Sequence, residues 1–167
     1  MTKLRQKILF FYVFSIFANA TPLDREFRAT WVITWEYISS SQNAEQTMAR
    51  IDEIMDNHAT ANMNAVLFQV RQSGTAYYNS SYEPWGYYAG YEHPGIDPLQ
   101  YAIDAAHSRG LELHAWFNVF QASSIHEGAP AQAHPEWVCR DRDGDPMNSS
   151  RSPVSYTHLT LPTIYSV

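Results

Sequence analysis

Between positions 77 and 91 the chain carries Tyr77, Tyr78, Tyr82, Trp85, Tyr87, Tyr88 and Tyr91, seven aromatic residues in fifteen positions, with Glu83 among them. Tyrosine and tryptophan combine an apolar ring face with a polar edge, so this stretch suits a ligand with apolar C–H faces rimmed by hydroxyls. Carbohydrate fits that description, as do other amphipathic molecules. A loop this long and aromatic is either functional or packed by its own side chains. Taken singly, most of the rings are expected only to pack it. Two further sets have strand-like spacing: Gln69 and Arg71, and His114, Trp116 and Asn118. Residues two apart on a strand share a face. One set offers a fixed guanidinium fork, the other a flat indole flanked by two hydrogen-bonding groups. His114 alone reads equally well as a satisfied core histidine.

The elements that must hold these groups follow from periodicity. Phe27 to Thr34 is rich in β-branched and aromatic residues and reads as a strand. Asn43 with Gln46 three residues on forms a capping box. Met48, Ile51, Ile54, Met55 and His58 then recur at helical spacing, predicting a helix from Ala44 to Asn57. Asn64 to Val70 is nearly continuously apolar, as a parallel strand covered on both faces should be. Asp97-Pro98 opens a second helix, and Gly110 closes it. Leu111 to Asn118 alternates, with Leu111, Leu113, Ala115 and Phe117 on one side and Glu112, His114, Trp116 and Asn118 on the other. The order β-α-β-α-β requires parallel strands and an α/β fold. In such a fold ligands collect at the C-terminal strand ends. Arg71, His114, Trp116 and Asn118 are therefore expected to point inward and upward, toward one mouth.

Other constellations are weaker. His93, His114, His126 and His134 lack metal-ligand spacing, so no metal and no cofactor are expected. Asp141, Asp143 and Asp145 resemble part of a calcium loop, but Gly144 falls before the third acid, and the run reads as a turn. Cys139 is the only cysteine, so no intrachain disulfide can form.

The ends have their own signatures. Lys3, Arg5 and Lys7 precede the apolar run Ile8 to Phe17, and Ala18-Asn19-Ala20 follows, which reads as a cleaved secretory signal peptide over residues 1–20. The run is about half the length of a membrane span. Cleavage would remove both lysines and leave 8 arginines against 17 acidic residues, a net charge of −9 in place of −6. A chain so acidic is not expected to partner nucleic acid or, after signal cleavage, a membrane. Residues 154–167 show neither helical nor alternating periodicity and read as a non-native read-through tail or a disordered end. Residues 21–153 remain as the domain.

Five ordered blocks carry a resemblance. They are Arg25 to Val32, Asn64 to Gly74, Tyr82-Glu83-Pro84-Trp85, Gly110 to Asn118 and His134-Pro135-Glu136-Trp137-Val138. Together they resemble the glycosyl hydrolase-like 10 family. The resemblance implies the first three or so β-α units of a TIM (β/α)8 barrel, and an exported bacterial protein, secreted or periplasmic. It implies a polysaccharide substrate, peptidoglycan glycan strands being one candidate. Carried over residue by residue, it implies substrate contacts at Arg71, Tyr78, His114, Trp116 and Asn118, with Glu83 and Trp85 beside them. Glycoside hydrolysis uses two carboxylates about 5–10 Å apart. The family's acidic motif lies on a fourth strand that this chain is not expected to contain, so the fragment itself is expected to be inactive. The alternative is a non-catalytic glycan-binding barrel.

Overall fold

The computed structural model describes residues 26–146, so the expected signal peptide at 1–20 and the expected tail at 154–167 lie outside the described residues. In chain order the elements are β1 (Ala29–Val32), the single turn α1 (Thr34–Tyr37), α2 (Ala44–Thr60), β2 (Ala65–Gln72), β3 (Thr75–Ala76), α3 (Pro98–Ser108), β4 (Glu112–Phe117) and the short α4 (Pro130–Ala133). The apolar strand read from the sequence is the middle of the sheet. β2 pairs in parallel with β1 on one edge and with β4 on the other.

Val66, Phe68 and Val70 on one face of β2 pack with Ile51, Ile54 and Met55 of α2 and Ala102, Ala105 and Ala106 of α3. The two helices are tied together by Arg109, which meets Asp52 at 3.0 Å and Asp56 at 2.7 Å. The Tyr101 hydroxyl also donates to Asp52 at 2.6 Å. Adjacent helices covering one face of a sheet whose parallel strands follow chain order make a singly wound array. That is how the wall of a β/α barrel is built, whereas a doubly wound sheet has helices on both faces. The α/β class and the parallel strands expected from the sequence are present, and the arrangement is consistent with a partial barrel. The opposite, concave face carries Phe27 and Trp31, which are exposed, and His114 and Trp116.

Local signals act as read. The Asn43 side chain accepts from the Gln46 amide at 2.9 Å, and the Gln46 side chain accepts from the Asn43 amide at 3.0 Å. Asp97 Oδ1 accepts from the amides of Leu99 and Gln100 at the start of α3. Asp141 Oδ1 accepts from the amides of Asp143 and Asp145, closing a turn.

Three boundaries differ from expectation. β1 ends at Val32 because the Glu36 carboxylate accepts from the Ile33 amide at 3.0 Å and starts a helical turn. α2 continues to Thr60, three residues beyond the expected end. β2 does not run into an open loop: Ser73 and Gly74, at φ 57° and 79°, make a tight turn into β3, which pairs antiparallel with Arg71 and Gln72. Positive φ at both central residues is what a hairpin needs to match strand twist. Ser73 rather than Asn at its first position hides the signal in the sequence.

Candidate active site

The aromatic loop is anchored by Tyr77. Its side chain is fully buried, and its hydroxyl accepts from the Tyr88 amide at 3.3 Å. Burial pushes this phenol up to about 12. Gly86 faces the same ring so closely that an added Cβ would lie 2.2 Å from it. On either side the Ala76 amide donates to Pro84 O at 2.9 Å and the Gly86 amide to Ala76 O at 3.0 Å. The loop is therefore stapled to the end of the sheet rather than hanging from it.

From β2, Arg71 reaches across this loop. Its Nε donates to the two Glu83 carboxylate oxygens at 2.7 and 3.0 Å, and its Nη2 lies 2.5 Å from Oε1. Its Nη1 donates to the carbonyls of Asn118 and Val119, the latter at 3.0 Å. The Arg71 and Glu83 side chains are only 9% and 13% exposed. One guanidinium thus clamps the loop after β2 to the end of β4, and the planar fork is what lets it serve both.

The expected site residues separate into two groups. Arg71, Glu83 and the backbone of Asn118 form the clamp, while the Asn118 side-chain amide turns to Gln121 Oε1 at 3.0 Å. His114 and Trp116 project from β4 onto the concave face, where His114 meets Phe27 edge-on at 5.4 Å and Trp116 meets Trp31 at 4.7 Å. His114 also lies 3.1 Å from Glu112. Tyr78 and Trp85 join neither group. Both pack against the core, Tyr78 edge-on to Phe117 at 6.1 Å and Trp85 edge-on to His93 at 5.2 Å. Among the described residues no three His, Cys, Asp or Glu side chains are placed to hold a metal ion.

Sequence reasoning missed Trp31, although Phe27, Ala29 and Trp31 share strand parity and Trp31 could have been read as facing the mouth. It also missed a polar knot beneath the mouth. Gln69 Oε1 accepts from the Thr34 amide at 3.2 Å, Thr34 Oγ1 donates to Gln72 at 2.9 Å, and the Tyr37 hydroxyl donates to Gln69 O at 2.7 Å. Gln69 Nε2 is buried with no partner among the described residues. Tyr37 is fully buried against Phe68, and burial raises its phenol well above the ordinary range.

A singly wound parallel β/α array with Arg71, Trp116 and Asn118 toward the C-terminal ends of its strands defines a protein of the β/α-barrel type. The particular relationship is specific: the glycosyl hydrolase-like 10 model matches residues 26–165, and the chain belongs to that family. It is 38% identical over 136 residues to the glycosyl hydrolase YngK of Bacillus subtilis, covering 72% of this chain and 26% of that protein. To the glycosyl hydrolase DigH of Escherichia coli K12 it is 38% identical over 121 residues, covering 64% of this chain and 27% of that one. The chain therefore spans about a quarter of the length of these relatives. Among solved structures, a maltogenic α-amylase of Thermotoga neapolitana superposes with a TM-score of 0.49 at 12% identity, covering 77% of this chain and 31% of the amylase.

Proposed function

We propose that this chain is part of an exported glycoside hydrolase that cleaves a bacterial polysaccharide, peptidoglycan glycan strands being the substrate class. The observation that carries the reading is the family match across residues 26–165. The geometry supports it: the indoles of Trp31 and Trp116 meet at 81° on the concave face, presenting two apolar ring faces on the side of the sheet from which His114 also projects. In this reading Trp116 and Trp31 stack on sugar C–H faces, and His114 binds a hydroxyl. Arg71 orients Glu83 and holds the loop in register with β4. The hydrolytic step needs two carboxylates flanking the bond, and Glu83 is the member of that pair this chain offers at the rim. The sequence 1–20 supports export to the periplasm or medium.

The test is to incubate the intact protein with purified peptidoglycan glycan strands and follow new reducing ends by mass spectrometry. Release of shortened glycans supports the reading, and their absence on peptidoglycan and neutral polysaccharides alike refutes it. Export is tested separately by N-terminal sequencing of the exported protein, with Thr21 as the expected first residue. A non-catalytic glycan-binding barrel is the second reading, favoured by the occupation of both Glu83 oxygens by Arg71. Retention of glycan without product release would select it.

A further inference from the structure

We propose that a half-open cavity beside the β2–β3 turn is a subsite for one neutral sugar ring, separate from the concave face. The proposal deepens the glycan reading above and rests on it for the class of ligand. The cavity has a volume of about 200 Å³, and its walls come from three segments: Gln72 and Ser73 at the turn, Tyr87 and Tyr91 of the aromatic loop, and Ser123 and Ser124 after β4. Pockets for drug-sized ligands run from about 300 to 1,000 Å³. This one is matched to a single ring and not to a chain of them.

The lining decides the chemistry. No charged side chain lines the cavity, so neither an anion nor a cation finds a counter-charge there. Among the described residues, the side-chain oxygens of Ser73, Ser123, Tyr87 and Tyr91 enter no hydrogen bond. Hydroxyls that both donate and accept, set around aromatic faces, complement the hydroxyls and C–H faces of a neutral sugar. Neither Arg71 nor Glu83 lines the cavity; both are engaged with each other in the clamp.

The walls are also held in place. Tyr91 stacks on His126 at 4.0 Å and 11° and meets Tyr87 edge-on at 6.1 Å. The Ser124 amide donates to Ser73 O at 2.9 Å, joining two of the three segments. Two of the lining residues, Ser73 at φ 57° and Tyr91 at φ 61°, adopt the left-handed conformation without being glycine. For a residue as bulky as tyrosine this is an outlier, and such outliers gather at ligand sites.

The test uses the intact protein and three probes: methyl β-glucoside, methyl N-acetyl-β-glucosaminide and methyl β-glucuronide, with binding read by saturation-transfer NMR and calorimetry. Millimolar binding of the two neutral glycosides, with the charged one failing, is expected. Tyr91→Phe combined with Ser123→Ala should weaken that binding roughly tenfold, since each lost hydroxyl removes about one hydrogen bond. Ser73→Gly is the control for folding: glycine suits that backbone conformation, so binding should weaken while thermal stability holds or rises. The proposal is overturned if the neutral glycosides do not bind, if the glucuronide binds equally, or if the variants bind as the parent does. Reducing-end release from glycan strands, followed in parallel, reports on the hydrolase reading alone. Variant-sensitive ring binding without product release keeps the subsite and removes the hydrolase.

Discussion

Replacing Glu83 by leucine should release the aromatic loop, and the expected size follows from the clamp. The carboxylate makes three contacts of 2.5 to 3.0 Å with a guanidinium whose side chain is 9% exposed. Removing one partner of a buried pair strands the other charge and costs about 3–5 kcal/mol. Arg71 keeps the carbonyls of Asn118 and Val119, so the lower end, about 3 kcal/mol, is the better figure. The readout is amide hydrogen exchange at Ala76, Tyr77 and Gly86, whose backbone bonds to Pro84, Val70 and Ala76 staple the loop. With about 1.4 kcal/mol per factor of ten, exchange at these amides should speed up roughly a hundredfold in Glu83→Leu. The double variant Arg71→Met with Glu83→Leu removes both charges together and should return exchange to within about tenfold of the parent. If Glu83→Leu leaves these amides unchanged, or the double variant opens as fast as the single one, the clamp does not hold the loop as argued.

In the intact protein, alkali should cause unfolding through the buried phenols. An unfolded tyrosine ionises near 10, whereas burial holds Tyr77 up to about 12 and raises Tyr37 as well. The stability that these phenols contribute is thus fully present below pH 10 and lost as pH rises toward about 12; Tyr77→Phe should flatten the fall in urea midpoint over that window. Gly86→Ala should destabilise by about 1–3 kcal/mol, because the new methyl would overlap the Tyr77 ring with no room to move. The loss should show in the same exchange measurement, even though the Gly86 φ of −80° suits alanine. The 167-residue chain expressed by itself should bind a hydrophobic dye and lack a sharp thermal transition. Phe27, Trp31 and Trp35 are each more than half exposed, and the outer edges of β1 and β4 pair with no other strand among the described residues. A cooperative, monomeric unfolding transition would refute that expectation.

Much of the fold was legible because its signals are local. The alternation of Leu111 to Asn118, the apolar run of β2 and the caps at Asn43 and Asp97 each act within a few residues. A period of two or of 3.6 and a side chain bonding to a nearby amide need no knowledge of the rest of the chain. The hairpin after β2 escaped because Ser73 takes a left-handed conformation that its type does not announce.

By itself, then, the sequence determined the parallel α/β order, the two long helices and the strand faces from which His114, Trp116 and Arg71 project. Tertiary structure alone decided what those side chains meet. Arg71 finds Glu83 twelve residues away and the Asn118 carbonyl forty-seven away, and Trp116 finds Trp31 across the intervening strand. No period or cap encodes such partners. Strand pairing brings Trp31 and Trp116 onto one face and Arg71 to the end of β4, whereas Glu83 reaches Arg71 only because the loop folds back over the strand ends, where Tyr77 packs against Gly86.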